Sequence, residues 1–210
     1  MTFYSQHTIE QYLDQYFPET VGRFLEIGCW NGELISQTLY LESERGWTGV
    51  CVDPFPKDFE KRTCRVCEKA IGKDGFPRQF AKVSIDRRYG GDVSYFSGFI
   101  DTPYQEHWPL ISQYCDYELV EVETITVDQL FAQYDLPNYI EFLSVDVEGA
   151  ELEIFESIDF SKYSFGMIVF EHNDNKDMKK QIGAILTSNG YKLIASLRCD
   201  DIYVAPKVFS

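Results

Sequence analysis

The sequence predicts an α/β protein with a doubly wound, mostly parallel seven-stranded sheet whose last strand runs antiparallel. Three observations predict it. Short apolar runs alternate with amphipathic helical stretches along most of the 210 residues. The first such run, Phe24-Leu25-Glu26-Ile27, ends in a turn that carries Gly28 and Gly32. The last two runs, 191–197 and 202–205, are joined by too few residues for a crossover, so they must pair antiparallel. Together these give a Rossmann-like layout.

Composition limits what the chain can do. A chain of 210 residues buries one good core and is most simply a single domain over 1–210. The net charge is -15, and no basic stretch stands out. Such a surface repels phosphate backbones, so neither nucleic acid nor an anionic membrane is an expected partner. The N-terminus lacks a basic and then apolar leader, and no apolar run approaches a membrane span. Six cysteines without an export signal point to a reducing, cytoplasmic setting. Cys64 and Cys67 form a lone C-x-x-C pair, with no second pair at zinc spacing.

Residues 1–20 hold an N-terminal helix, centred on 6–17. Ile9, Leu13, Tyr16 and Phe17 recur there at helical spacing, and Pro18 stops it. A strand at 22–28 follows, then the glycine turn and a helix over 33–44. Gly28 permits a positive φ and leaves no Cβ in a ligand's way, and Gly32 lets the helix start close to the strand. The spacing E-x-G-x-x-x-G differs from the dinucleotide G-x-G-x-x-G, and Trp30 stands where a pyrophosphate would need glycine. An acid just before the turn suits a ligand that carries an ammonium group, such as S-adenosylmethionine.

A second strand, 50–53, ends in Asp53-Pro54-Phe55-Pro56. An acid at this tip is where such sheets bind ribose hydroxyls. A third strand spans 65–71. Residues 76–127 are less regular: a hairpin near Gly90-Gly91 is expected, then a stretch at 102–117 without clear period, then strand-like alternation at 118–126. This segment is expected to be an insertion, or lid, over the substrate site. A short helix follows at 127–134. Buried strands at 140–146 and 165–170 alternate with helices running to Ser157 and over 176–188, and the terminal hairpin closes the chain.

In an open α/β sheet, ligands bind beyond the carboxyl ends of the strands. Those ends carry Glu26 to Gly28, Asp53, Asp146 to Glu148, and Glu171-His172-Asn173. A carboxylate among Asp146, Glu148 and Glu171 can deprotonate an acceptor hydroxyl, or the three can hold a divalent cation such as Mg²⁺ that acidifies it. His172 with Glu171 makes an alternative base with its orienting partner. Glu151 is expected to be structural, and Asp200 and Asp201 to be turn formers.

The stretches FLEIGCWNGE, GWTGVCVDPFP, EFLSVDVEGAELEIFESIDF and IVFEHN occur in that order. With them the chain resembles the FkbM family of S-adenosylmethionine-dependent methyltransferases, which implies a class I methyltransferase fold. The resemblance places Glu26, Gly28, Cys29, Asn31 and Gly32 around the methionine part of the cofactor. It places Asp53, Pro54 and Phe55 at the ribose, Lys69 and Ala70 beside the adenine, and Asp146 toward the sulfonium. Ser144 stands where many relatives carry Lys, and Asp53 where they often carry Glu. The resemblance further implies O-methylation of a sugar, glycan or secondary metabolite, a small-molecule or glycan acceptor. Two other readings fit the same sheet: a nucleotide-sugar or nicotinamide enzyme, and a non-catalytic nucleotide-binding module.

Overall fold

The computed structural model describes residues 4–102 and 107–209. Helix α1 (Glu10–Tyr16) is shorter than the 6–17 expected and leads through Pro18 into strand β1 (Arg23–Ile27). Glu10 is buried and accepts the backbone N–H groups of Tyr4 and Ser5, each at 2.7 Å, which ties the preceding turn to the helix.

The helix expected over 33–44 contracts to α2 (Leu39–Ser43). Side chains compete successfully for its backbone donors. Asn31 Oδ1 accepts from Glu33 and Leu34 N–H, Glu26 accepts from Gln37 N–H, and Ser36 Oγ accepts from Leu39 N–H. Ile35 meanwhile sits at φ +51°. No helix N-terminus therefore adjoins the glycine turn. Gly32 serves a different contact from the one expected: a Cβ there would lie 2.6 Å from the Asp58 carbonyl oxygen.

Strand β2 (Thr48–Val52) follows. The expected third strand divides in two. β3 (Arg65–Cys67) pairs in parallel with β2, whereas β4 (Ala70–Ile71) leaves the sheet. The insertion then builds its own antiparallel sheet around β5 (Arg78–Asp86), which pairs with β6 (Gly91–Asp92), β7 (Gly98–Phe99) and β8 (Cys115–Val122). The hairpin near Gly90-Gly91 is present, and the unperiodic stretch contains helix α3 (Trp108–Tyr114). Residues 103–106 of that stretch, like 1–3 of the N-terminal segment, lie outside the described residues. β9 (Thr124–Ile125) returns to pair in parallel with β4.

The remaining elements follow the expected order: α4 (Val127–Gln133), β10 (Tyr139–Val145), α5 (Glu151–Ser157), β11 (Ser164–Glu171), α6 (Lys176–Ser188), β12 (Lys192–Leu197) and β13 (Asp200–Val204). Thr126 caps α4 with a capping box to Gln129. Asp200 and Asp201 are corrected from turn residues to buried strand residues, since the hairpin turns in Arg198-Cys199 alone.

The seven-stranded sheet has the order β12-β13-β11-β10-β1-β2-β3. β13 is antiparallel to both of its neighbours, and the pairs from β11 to β3 are parallel. Period-two alternation divides the core between its faces. Leu25, Leu143, Ile168 and Phe170 pack with α4, α5 and α6 residues such as Phe131, Phe155 and Ile182. Phe24, Phe142, Met167 and Val169 pack with Ile9, Leu13 and Leu41 beside α1 and α2. Each such side chain stabilises the fold by about 1.5–3 kcal/mol.

The ends of β1 and β10 nearly touch. Asp146 N–H donates to the Ile27 carbonyl at 2.9 Å, and Gly28 sits at φ +84°. A Cβ on Gly28 would fall 1.5 Å from the Asp146 carbonyl oxygen. Gly28→Ala is expected to destabilise the protein by about 3 kcal/mol or more. Gly46, at φ +65° with open space around it, supplies the comparison, and Gly46→Ala should cost about 1 kcal/mol. Urea denaturation of both variants checks the difference, and equal losses would remove the steric reading of Gly28.

Candidate functional site

A cavity of about 860 Å³ lies beyond the carboxyl ends of β1, β2, β10 and β11, toward the upper end of the range for ligand pockets. The insertion walls its other side with residues that include Phe80, Lys82, Tyr95, Phe96, His107 and Tyr117. The glycine turn and the insertion are tied together. Trp30 Nε1 and Lys57 Nζ both donate to Ser94 Oγ, at 2.8 and 2.6 Å, and the Trp30 ring meets Tyr95 edge-on.

Asp53 closes β2 and faces the cavity. Its Oδ2 accepts Trp30 N–H at 2.9 Å and its Oδ1 accepts Phe55 N–H at 2.7 Å. Burial pushes its pKa up, and those two N–H groups oppose the shift. The carboxylate thus fixes the glycine turn while keeping unused lone pairs. Gly28, Cys29, Pro54, Phe55, Lys69 and Ala70 also line the cavity. Burial pushes the Cys29 thiol up to about 11, so it stays protonated at neutral pH. Glu26 lines the cavity too, but both of its oxygens are engaged by protein, through Gln37 N–H and Thr38 Oγ1.

Two expected cofactor contacts are not brought to the cavity. Asn31 is buried, donating to Asp58 while its Oδ1 caps the following loop. Gly32 closes that loop through its N–H to the Lys57 carbonyl. Both shape the turn from behind.

The acids do converge. One carboxylate oxygen from each of Asp146, Glu148 and Glu171 lies within 4.8 Å of the others. Burial, then the charge of Glu171, raises the pKa of Asp146 and of Glu148 well above the ordinary range. Asn173 Nδ2 donates to Glu171 Oε2 at 2.6 Å, and His107 Nε2 lies 3.9 Å from Glu148 Oε2. Three oxygen ligands in this arrangement would suit a hard divalent cation. Glu151 is structural, as expected: it accepts the Val147 and Gly149 N–H groups and so holds the loop that presents Glu148. Burial pushes Glu151 up to about 7 against those donors.

His172 is not brought to the cavity. It is 2 % exposed and points to the opposite side of β11 from Glu171. There its Nδ1 accepts Asp174 N–H, and its Nε2 lies 3.6 Å from Asp201. Burial and the Lys179 ammonium lower its pKa. The same alternation, applied to Glu171-His172-Asn173, puts Asn173 beside Glu171, a signal that was present in the sequence. His107 carried no such signal, because the insertion has no period to place it.

Backbone strain gathers here as well. Nine non-glycine residues among those described have positive φ, and six of them line the cavity: Trp30, Ile35, Glu148, Asn173, Asp174 and Arg198. Such conformations cost about 1–3 kcal/mol each and cluster where function holds them.

The sheet order, the glycine turn and the acids at the strand ends describe a methyltransferase. The family model "Methyltransferase FkbM domain" matches residues 26–193, and the chain belongs to the FkbM methyltransferase family. No curated protein and no solved structure matched the chain. Among the described residues no helix is long and apolar enough to cross a membrane.

The raised acids set a pH dependence. Glu151, with a folded pKa of about 7 against an ordinary 4.5, binds more protons folded than unfolded between those values. Its contribution to stability is complete below the lower value and is lost as pH rises through the upper one. Asp146 and Glu148 act in the same direction. In metal-free buffer the protein is therefore expected to gain about 1–2 kcal/mol between pH 7.5 and 5.5. Urea midpoints at the two pH values check it, and a loss of stability over that interval would contradict the raised proton affinity of these acids.

Proposed function

We propose that the protein is an S-adenosylmethionine-dependent O-methyltransferase acting on a hydroxyl of a sugar, glycan or secondary metabolite. The observation that carries this reading is the convergence of Asp53, Asp146, Glu148 and Glu171 on one cavity in an FkbM family member. The strand order and the helices on both faces support a doubly wound, Rossmann-like class I sheet. The 210 residues act as one domain, with 76–127 as the substrate lid. Six free thiols suit a reducing, cytoplasmic setting.

The cavity suits this cofactor on its own terms. Asp53 retains lone pairs for two ribose hydroxyls. Ala70, Ile71 and Phe55 offer an apolar slot for the adenine. The carboxylates at Asp146 and Glu148 favour a ligand that brings positive charge to a buried acidic site. Bound S-adenosylmethionine supplies an electrophilic methyl group on a sulfonium.

The protein's own work is alignment and proton removal. The aromatic wall from the insertion would seat the acceptor, and the strand ends would orient its hydroxyl toward the cofactor. A carboxylate of the Asp146, Glu148 and Glu171 group would take up the proton of the acceptor hydroxyl, and burial raises the proton affinity of Asp146 and Glu148. The same three residues would alternatively hold Mg²⁺ to acidify that hydroxyl. His172 holds the fold behind the strand.

Calorimetric titration with S-adenosylmethionine, S-adenosylhomocysteine and NAD tests the cofactor, and transfer of labelled methyl to a panel of sugars tests the reaction. Binding of the two sulfur nucleotides without NAD is expected. Binding of NAD alone would favour the nicotinamide reading. Asp53→Ala should weaken S-adenosylmethionine binding by about tenfold or more, through the lost charge-assisted hydrogen bonds. Unchanged affinity would remove Asp53 from the ribose site.

A further inference from the structure

The hairpin between β12 and β13 turns in two residues, with Leu197 paired to Asp200. Turns this tight favour Asn-Gly or Gly, because their backbone enters the left-handed region. Here Arg198 adopts it, at φ +40°, and a cysteine follows. Cys199 is pinned: its carbonyl accepts the His172 N–H at 2.7 Å. Beside it, Asp200 is 3 % exposed. His7 arrives from the opposite end of the chain and sets its Nδ1 2.7 Å from Asp200 Oδ2. One ligand atom from each of His7, Cys199 and Asp200 lies within 4.8 Å of the other two. Glu10 holds the segment just before His7 through the Tyr4 and Ser5 N–H groups.

We propose that His7, Cys199 and Asp200 form a zinc site, with the fourth position left to water. The donor set selects the ion. Nitrogen, sulfur and oxygen together suit Zn²⁺, whereas Mg²⁺ and Ca²⁺ take oxygen ligands. Ligand atoms around a tetrahedral zinc stand roughly 3.3–3.8 Å apart, so the three atoms need only small shifts, and the ion replaces the hydrogen bond between His7 and Asp200. On binding, the Cys199 thiol releases its proton to solvent and ligates as thiolate. The surroundings favour a cation. Asp200 pairs with Glu171 across the strands, and Glu171 clusters with Asp146 and Glu148. A divalent ion would offset part of this buried negative charge.

The site also has a structural consequence. Gln6, Arg198 and Cys199 all line the main cavity. Zinc would fasten the N-terminal segment to the terminal hairpin and fix that part of the cavity wall. It is separate from the oxygen-only group of Asp146, Glu148 and Glu171 in its donors and in the segments that supply them.

Metal analysis of the full-length protein tests the site. After loading with Zn²⁺ and dialysis against metal-free buffer, one zinc per chain should remain. Co²⁺ in its place should give the near-ultraviolet absorption of a thiolate ligand. His7→Ala and Cys199→Ser should each weaken zinc binding by about tenfold or more. If Cys199→Ser fails to fold, the Co²⁺ spectrum of the unaltered protein still decides whether sulfur ligates. The proposal is overturned if no zinc remains, if Co²⁺ binds without the thiolate absorption, or if zinc is lost on Glu148→Gln but retained on His7→Ala, which would assign the ion to the oxygen group.

Discussion

The approach of β1 to β10 at their carboxyl ends sets the terms for the rest of the molecule. The Asp146 carbonyl occupies the space a side chain on residue 28 would need. Two central strands can then end side by side, each carrying an acid toward one opening: Glu26 on β1, and Asp146 just beyond β10. Asp53 on the neighbouring strand end ties down the glycine turn from the other side. With the two strand ends fixed, the backbone at 28–30 has one course open to it, and the cavity inherits its shape.

That geometry has an electrostatic consequence. Carboxylates brought together and taken out of water repel, and each must find donors, a proton or a cation. The structure uses different remedies at different acids. Glu26 and Glu151 are saturated with local N–H and O–H donors and serve as braces for loops. Asp201 finds Lys179 and Ser196. Asp146 and Glu148, like Glu151, have raised proton affinity. Asp146 and Glu148 both line the cavity.

Much of this was legible in the sequence, and the failures have physical causes. Buried parallel strands read clearly because both faces are apolar, as in Tyr139–Val145 and Ser164–Glu171. The short final connection dictated the antiparallel hairpin. The helix after the glycine turn failed because apolar spacing at Leu34 and Ile35 outweighed what Asn31 and Ser36 do to the backbone. Asp200 and Asp201 were misjudged because acids near a turn ordinarily form it, whereas here each is buried and paired, with His7 or Lys179. His172 and Asn173 exchange places in the site, because position along a strand end says less than the face on which a side chain lands. The insertion was least legible. Its long strands are mostly exposed on one face, and β8 carries four consecutive exposed residues.

The neck of that insertion is worth following through. The chain departs along Ala70–Ile71 and comes back along Thr124–Ile125, and the two dipeptides lie hydrogen-bonded in parallel. A detour of some fifty residues thus begins and ends at one clasp. Because its ends are already joined, the excursion can be lengthened, shortened or exchanged without shifting the register of the main sheet, at a loop-closure cost that grows only slowly with length. The architecture is therefore modular at one point. One half of the cavity is held by the mechanics of the parallel sheet, and the other hangs from a clasp that a different excursion could share.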